Sequence, residues 1–367
     1  MKVAVFGGGV AGLMAAITLQ SQGHSCSIYE RSLLSHHAGM GFILMPAVAA
    51  YMKQFDINIS GDCSSVFLDR YICRDANGKV LREKQMPRMS RSIRRCELVN
   101  LLLDRGRLHD AIKFDAELEQ LEFDGHGHVA AAVLRSGERV TADLFIGADG
   151  SRSRIRRVLF PEWPTAKARV LEIVGLVHCP EAARWAGRNF NKFHASGGGL
   201  ALGILPVGAD DVVWFMQFDS LRFPPPDARD TSGEEWRDFV QTIAGTWAFP
   251  VSSVLANTDS RNMHTWFPVE ADLPPYFHHK NLVLIGDAAQ PLSPFTSQGV
   301  CSAIGDAVTL ADMLLPVRGK RLLEKALALY SKQRRQQRAL YLRAGHRLVR
   351  RFLAPVSSNT FGLPLAI

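Results

Sequence analysis

The sequence predicts an α/β fold in which a mostly parallel sheet is interleaved with a second, mixed sheet and followed by C-terminal helices. Three observations predict it. The chain opens with a strand, a glycine turn and a helix; two later apolar strands end in glycine and aspartate; and strand-rich sequence lies between those two strands. At 367 residues the chain exceeds one ordinary core. We therefore expect two intertwined domains.

The opening stretch, residues 2–12, predicts a binding site for a dinucleotide. Its glycines have the G-x-G-x-x-G spacing and are Gly7, Gly9 and Gly12. They permit a sharp turn, a close approach to a pyrophosphate and tight helix packing. A helix starting at Val10 and Ala11 would direct its free N–H groups at the phosphates. Glu30 and Arg31 follow a second strand, where an acid binds a ribose hydroxyl, so this unit is Rossmann-like.

Two further features of the first hundred residues are open to more than one interpretation. Gly39 and Gly41 precede apolar residues, and either pass close to a flat ring or form a plain turn. Arg95 stands at the start of a helix predicted over residues 97–107, where it is either solvated or directed at a phosphate. Between them, a strand over residues 66–73 and a second over 79–84 flank Asn77-Gly78, a strong hairpin signal.

Two acids follow buried strands later in the chain. Asp149 and Gly150 end one apolar strand, and Gly286 and Asp287 end another. Asp149 can accept from ribose or ribityl hydroxyls, although an Asp-Gly turn needs no ligand. The arginines soon after Asp149 suggest an anion nearby, because they would otherwise repel one another. A helix starting near Gly299 directs its positive end at whatever lies over the preceding loop.

The middle of the chain, residues 161–276, is rich in strands with apolar residues on both faces. Such a sheet covers either its own helix or a hydrophobic ligand. The candidate substrate contacts are Leu202, Trp214 and Met216, and core packing is the alternative for each of them.

Composition favours a cytoplasmic protein. Hydrophobic residues make up 47% of the chain, and no apolar run reaches the ~18 residues of a membrane helix. A strand at residue 2 leaves no room for a secretory leader. The six cysteines have no metal-ligand spacing, so we expect reduced thiols and no metal.

The net charge of +8 suits an anionic partner: a phosphorylated cofactor, an acidic membrane or nucleic acid. Without a recognition motif we expect no nucleic acid. The basic helix predicted over residues 317–353 either lies on a membrane or, as we favour, packs on the cofactor domain, with its arginines solvated or near the phosphates of the cofactor.

These motifs, in this order, resemble the single-component FAD-dependent monooxygenases of the p-hydroxybenzoate hydroxylase type, over nearly the whole chain. The resemblance depends on the glycine turn with Glu30-Arg31 and on three further groups of residues. These are Asp149-Gly150 with Ser153 and Arg156; Gly286-Asp287-Ala288-Ala289 with Pro294, Gln298-Gly299 and Asp306-Ala307; and Arg95-Cys96-Glu97-Leu98.

The resemblance implies FAD as cofactor and NADPH or NADH as a transient co-substrate, with no separate nucleotide domain. Oxygen then enters an aromatic or polycyclic molecule through a flavin C4a-hydroperoxide. It places the ADP half at the glycine turn, Glu30, Arg95 and Asp149, the ribityl or pyrophosphate part at Asp287, and the isoalloxazine beside Pro294, Gln298, Gly299 and Val300. It divides the chain into a FAD-binding domain (1–65, 95–160, 277–315), a substrate domain (66–94, 161–276) and a helical region (316–367).

Three departures from the family pattern accompany the resemblance: Gln290 replaces a frequent His, Ser297 a glycine and Cys301 a frequent Asn. No catalytic base is identified. Alternatives of other classes stay open: a non-oxygenating flavoprotein reductase or oxidase of the same fold, and a non-catalytic flavin-binding or membrane-recruited partner. Halogenation is disfavoured because the Gly-Trp-x-Trp signature is absent from the sequence.

Overall fold

The structure, a computed structural model, describes residues 1–33, 41–163, 165–226, 232–266, 269–317 and 319–356. Their strands are β1 Lys2–Phe6, β2 Ser25–Tyr29, β3 Gly41–Leu44, β4 Ser65–Phe67, β5 Arg70–Asp75, β6 Val80–Gln85, β7 Arg91–Arg94, β8 Ile112–Lys113, β9 Leu118–Phe123, β10 Val129–Leu134, β11 Arg139–Val140, β12 Leu144–Gly147, β13 Thr165–Lys167, β14 Val170–His178, β15 Asn189–His194, β16 Leu200–Pro206, β17 Asp211–Asp219, β18 Met263–Trp266, β19 Val269–Ala271, β20 His278–His279 and β21 Leu282–Leu284.

The helices of the same residues alternate with these strands. They are α1 Val10–Gln20, α2 Pro46–Lys53, α3 Ile59–Asp62, α4 Arg95–Arg105, α5 Arg154–Leu159, α6 Pro180–Ala186, α7 Gly233–Ala244, α8 Val251–Asn257, α9 Gly286–Ala289, α10 Gly299–Leu314 and α11 Lys320–Leu353. The predicted mixture of strands and helices is thus confirmed.

The opening strand lies inside a parallel sheet. Among the described residues the strand order is β20-β21-β12-β1-β2-β8, and every neighbour from β21 to β8 is parallel. The central strands are buried and apolar, as expected for a sheet covered on both faces. Because parallel strands end at the same edge, the carboxyl ends of β1, β12 and β21 lie side by side. This edge positions the candidate cofactor site.

A second sheet carries the middle of the chain. Its strand order among the described residues is β18-β14-β17-β16-β15-β5-β6, and its pairs are antiparallel apart from β15 with β5. One face packs under α6, α7 and α8. The opposite face meets β3 and the loop before α10, because Val213 and Phe295 belong to clusters on that side. The described residues also form three smaller sheets, β11-β10-β9, β3-β7-β4 and β13-β19.

The predicted strand over residues 66–73 is wrong in its continuity. The chain leaves one sheet and enters another at Leu68 and Asp69: β4 pairs with β7, whereas β5 pairs with β6 and β15. The N–H of Leu68 donates to Ser90, and that of Asp69 to Arg188. The strand β15 and the helices α6 and α8 were not predicted from the sequence. The division into three domain segments stays a prediction.

The last described helix docks onto the parallel sheet. Leu323, Leu327 and Tyr330 of α11 are buried in the same cluster as β1 and β12. The Tyr330 hydroxyl donates to the carbonyl oxygen of Leu284 at 3.1 Å. This apolar side of α11 is therefore packed against the parallel sheet and is not exposed. Within the described ranges, no helix combines the length and apolarity needed to cross a membrane.

Candidate active site

The glycine turn after β1 has the conformation that the sequence predicts. Gly7 has φ +115°, and a Cβ there would lie 2.2 Å from the carbonyl oxygen of Ala148. A Cβ on Gly12 would lie 1.9 Å from the carbonyl oxygen of Gly7. Side chains at these two positions would collide with backbone, so the turn needs both glycines. Gly9 differs, because a Cβ there meets no atom within 4 Å. Its open side is where a ligand can approach.

The helix behind this turn starts with no side-chain cap. α1 begins at Val10 and Ala11, its N-cap is Gly9, and no acidic residue lies in its first turn. The first N–H groups of a helix lack intrahelical partners and carry partial positive charge. The end of α1 is therefore suited to an anion such as a pyrophosphate.

Glu30 lies against the glycine turn. Its Oε2 accepts from the N–H of Gly8 at 2.6 Å, and its Oε1 accepts from the N–H of Ser32 at 2.8 Å. The side chain is 9% exposed. Each carboxylate oxygen keeps a second lone pair, so Glu30 can fix the turn and still accept from a ligand hydroxyl. Arg31 beside it is exposed.

Arg95 is the first residue of α4 and faces the same edge. Burial lowers the pKa of its guanidinium, while the negative charges of Asp287 and Glu30 oppose that change. Its Nε is buried and makes no hydrogen bond within the part of the chain that the structure describes. A buried donor without an acceptor is costly, which indicates that Arg95 serves a group outside the described protein atoms.

Asp149 follows β12 and makes two kinds of contact. Its Oδ2 accepts from the N–H of Arg154 at 2.7 Å and of Ile155 at 3.3 Å, so it caps α5. Its Oδ1 is buried without a partner among the described residues. Gly150 has φ +81° and faces open space. Asp149 is therefore half structural, with one oxygen left for a ligand.

The arginines after Asp149 do not need the anion that the sequence suggests. Arg156 donates to the carbonyl oxygens of Asp287 at 2.9 Å and Ala288 at 2.8 Å. Arg154 donates to the carbonyl oxygens of Leu118 and Glu119. Protein oxygens thus relieve the repulsion that we expected an anion to relieve. Arg156 instead ties the turn after β12 to the turn after β21.

The turn after β21 packs on the first turn of α1. Gly286 has φ +60°, and a Cβ there would lie 2.8 Å from the Cβ of Ala11. The N–H of Gly286 donates to Oδ2 of Asp306 at 2.7 Å. Burial raises the pKa of Asp287, although the charges of Arg338, Arg95 and Arg156 oppose the shift. The three strand ends therefore meet around one set of opposed charges.

The loop before α10 includes a strained residue. Pro294–Thr296 forms a single 3-10 turn, and Ser297 follows with φ +52° and ψ +24°. This left-handed conformation favours glycine, the residue that the family pattern has there. Gln298 is buried, and α10 begins at Gly299 with Val300 partly buried. A Cβ on Gly299 would meet no atom of the described residues within 4 Å, so among them this helix start also faces open space.

The other two residues that depart from the family pattern are Gln290, which is buried, and Cys301, which is partly buried. Gln290 is 1% exposed, and its Nε2 donates to the carbonyl oxygen of Pro291 at 3.3 Å. Burial raises the pKa of the Cys301 thiol, so that less of it is present as the reactive thiolate.

Gly41, at the start of β3, allows close approach to the second sheet, because a Cβ at this position would lie 3.2 Å from Val213.

A buried charge cluster behind this loop was missed by the sequence analysis as a functional group. Asp306, 0% exposed, accepts from Arg334 and Arg338 of α11. Arg338 also donates to the carbonyl oxygen of Gln290, and Arg334 to that of Ser302 at 3.0 Å. We expected the tail arginines to be solvated or near phosphates. A buried carboxylate that also holds Gly286 draws these two inward instead.

The predicted substrate contacts are not placed as we expected. Leu202, Trp214 and Met216 are fully buried under the helices that cover the second sheet. The indole Nε1 of Trp214 donates to the Thr258 hydroxyl at 2.9 Å, inside this core. Side chains alternate across a strand, and apolar side chains occur on both faces of these strands, so the pattern does not show which face meets a ligand. These three side chains are thus part of the hydrophobic core, as the alternative interpretation of the sequence has it.

The opposite face of the same sheet carries a polar row that the sequence analysis missed. Lys192 donates from Nζ to Oε1 of Gln217 at 2.6 Å, and Gln217 donates from Nε2 to Oε2 of Glu172 at 2.7 Å. All three side chains are buried. Glu172 inside the apolar stretch of β14 was the signal, since charged residues are almost never fully buried unless they are paired.

The geometry fits a flavin dinucleotide. Three strand ends, two uncapped helix starts and open space at Gly9, Gly150 and Gly299 face one edge. Two polar atoms there, Arg95 Nε and Asp149 Oδ1, lack protein partners among the described residues. In that same part of the chain, no group of three His, Cys, Asp or Glu side chains is placed to hold a metal ion.

A family model described as FAD binding domain matches residues 1–344. The chain belongs to this family. It is the family of the single-component FAD-dependent monooxygenases of the p-hydroxybenzoate hydroxylase type, and the resemblance inferred from the motifs is confirmed.

Relatives in this family include named hydroxylases. The chain is 28% identical to the FAD-dependent urate hydroxylase of Klebsiella pneumoniae, over 91% of this chain and 86% of the relative. It is 25% identical to the 6-hydroxynicotinate 3-monooxygenase of Pseudomonas fluorescens, over 94% and 90%. Among solved structures, Klebsiella pneumoniae HpxO complexed with FAD and uric acid superposes with a TM-score of 0.81 at 24% identity, over 94% of this chain and 87% of that one. This likeness confirms the fold.

Proposed function

We propose that the chain is an FAD-dependent monooxygenase that uses NADPH or NADH and O2 to insert one oxygen atom into an aromatic or polycyclic small molecule. The observation that carries the proposal is a pair of buried polar atoms that have no partner among the described residues, Arg95 Nε and Asp149 Oδ1, at the edge where three strand ends meet. The family membership of residues 1–344 supports it.

The proposed cofactor site uses the residues of that edge. The free N–H groups at the start of α1 bind the pyrophosphate, and Glu30 and Arg95 serve the ADP half. The carboxylates of Asp149 and Asp287 accept hydrogen bonds from hydroxyl groups of the ribityl chain or the ribose. Arg31 stays at the exposed rim. When bound, the flavin supplies the redox and oxygen-activating chemistry.

The protein positions the flavin ring and shields it from water. Pro294, Gln298 and Gly299 form the loop that flanks the ring in the proposal, and α10 directs its positive end there. Negative charge that develops on a reduced ring would be stabilised by that end. Val300 and the buried Thr296 keep water from the loop.

We place the substrate on the polar face of the second sheet rather than at Leu202, Trp214 and Met216. Phe215 and Phe295 flank that face, and aromatic side chains suit a flat ligand. The relatives named for urate and 6-hydroxynicotinate support a small aromatic substrate. A cytoplasmic location is part of the proposal, supported by six free cysteines.

The test is turnover of the purified, FAD-loaded protein. We expect NADPH or NADH oxidation to be stimulated by an aromatic substrate and matched by oxygen uptake, with one labelled oxygen atom from 18O2 recovered in the product. A protein that never takes up FAD would overturn the proposal. Cofactor oxidation without oxygen incorporation, across a panel of hydroxylated and heterocyclic aromatics, would favour the reductase or oxidase alternative.

A further inference from the structure

The polar row on the second sheet contains a cation with unused donors. Lys192 is 4% exposed, and an ammonium has three N–H donors. Within the described ranges one of them has an acceptor, Oε1 of Gln217 at 2.6 Å. The amide of Gln217 is occupied on both sides, since its Nε2 donates to Glu172. A buried ammonium with donors to spare requires a further acceptor.

The surroundings of Lys192 show from which side that acceptor comes. Its Nζ lies 5.0 Å from the ring centroid of Phe295 and 5.6 Å from that of Phe215. Phe295 belongs to the loop that leads into α10, and Phe215 projects from β17. A Cβ on Gly203 would lie 2.3 Å from the Phe215 ring, so the glycine gives this ring its room. Lys192 thus stands between two aromatic walls, next to the loop proposed to flank the flavin.

The nearby charges leave room for an anion. Glu172 of β14 is the counter-charge, but it reaches Lys192 through Gln217, and burial raises the pKa of Glu172 to about 7. Burial lowers the pKa of Lys192 to about 8. Cys73 of β5 and His194 of β15 also face this lysine; burial raises the pKa of the thiol and lowers that of the imidazole to about 3, so both are neutral near pH 7.

We infer that Lys192 is a substrate-anchoring residue that binds an anionic oxygen of the aromatic substrate, either a phenolate or a carboxylate. The inference rests on the proposed function and narrows its substrate class to acidic aromatics. The ligand oxygen takes the unused N–H donors, and the two phenyl rings hold the ring plane. When a phenol binds through the neutral amine, its O–H bond breaks, an N–H bond forms, and the electron pair stays on oxygen. Gln217 and Glu172 position the lysine.

The experiment traps this lysine with an aromatic aldehyde. FAD-loaded protein is treated with salicylaldehyde and sodium cyanoborohydride, and labelled lysines are mapped by peptide mass spectrometry. The amine and aldehyde condense to an imine with loss of water, and hydride from the reagent fixes the product. We expect Lys192 to be labelled although it is buried. The exposed Lys113 is the internal reference for reagent activity.

Protection from labelling tests the charge preference and separates the two sources of the oxygen. Protection by benzoate is compared with protection by benzamide to test for a bound carboxylate. Protection by phenol is compared with protection by anisole to test for a bound phenolate. We expect one acid to protect Lys192 at a concentration about tenfold or more lower than its neutral partner, as for a charge-assisted hydrogen bond. The labelling of Lys113 should be the same with and without these compounds.

Two results would overturn the inference: no label on Lys192 while Lys113 reacts, or equal protection by acids and neutral partners. Neither depends on turnover, so a protein that fails the oxygenation test can still support or refute the lysine. The Lys192→Met variant is expected to lose the preference for acids in a flavin difference titration, whereas Lys192→Arg keeps it.

Discussion

The edge of the parallel sheet and the polar face of the second sheet differ in how they are built. At the edge, the backbone sets the geometry: Gly7, Gly12 and Gly286 have no room for a Cβ or have a positive φ. On the face, single side chains from three strands, Glu172, Lys192 and Gln217, form one hydrogen-bonded row. A backbone requirement is local in sequence, whereas a side-chain row depends on sheet register.

This difference explains why one region is recognisable as a motif and the other is not. A glycine needed for a turn must occur at a fixed position relative to its strand. The partners of a row come from β14, β15 and β17, and a shift of one residue in register would move each of them to the other face. The largest energetic effects are expected where buried charge or backbone is involved, and the smallest where only packing is.

The largest effect is expected at Asp306, which neutralises Arg334 and Arg338. Asp306→Ala leaves two buried cations without a counter-charge, and we expect a loss of about 3–5 kcal/mol in the free energy of unfolding. Urea unfolding followed by circular dichroism measures it. Asp312→Ala, at an exposed position of the same helix, is the matched control. A loss at Asp306 no greater than at Asp312 would contradict the buried cluster.

The glycine turn is next, and two of its glycines separate folding from binding. Gly12→Ala brings a Cβ to 1.9 Å from the carbonyl oxygen of Gly7, and we expect about 3 kcal/mol of destabilisation. Gly9→Ala meets no described atom within 4 Å, and we expect it to cost at most about 1 kcal/mol, because alanine is a poorer N-cap than glycine, while the Kd for FAD rises. Thermal unfolding and FAD titration of both variants check this, and equal stability of the two would refute the backbone argument.

Glu172 predicts a pH dependence on the side-chain face. Its folded-state pKa, about 7, is raised above the ordinary 4.5, so the folded protein holds the proton more tightly than the unfolded chain. This contribution to stability is full below pH 4.5 and is lost as pH rises towards 7, by at most about 1.4 kcal/mol for each step of one in pH. Glu172→Gln should therefore gain stability relative to the wild type between pH 5 and 7. Exposed Glu162→Gln is the matched control, and identical pH profiles of wild type and Glu172→Gln would contradict the assignment.

The smallest effect is expected at Met216, on the helix-covered face. Met216→Leu conserves volume and should cost less than about 1.5 kcal/mol, with unchanged affinity for benzoate. Phe215→Leu, one residue earlier and on the opposite face, should weaken benzoate binding because it removes an aromatic wall. Flavin difference titration compares them. If Met216→Leu weakened binding more than Phe215→Leu, the two faces would have to be exchanged.

The sequence allowed the parallel sheet and its glycine and acid turns to be predicted, because each has a local conformational signature. Residues such as Gly7, Asp149 and Asp287 could be located from spacing alone. Three things could not. The burial of Trp214 under the helices could not be predicted, since apolar side chains occur on both faces of its strand; the inward turn of Arg338 depends on the docking of α11; and the arginines after Asp149 have acceptors far away in the sequence.

The pairing of Arg334 and Arg338 with Asp306 has a consequence for how the protein is made. The Asp306 carboxylate is synthesised before the guanidiniums that balance it, which follow 28 and 32 residues later. Until then the nascent cofactor half has an uncompensated negative charge at its centre, beside the amide of Gly286. Completion of this half therefore awaits α11, the last described helix. A product truncated before Arg334 would be a target for proteolysis rather than a smaller working enzyme.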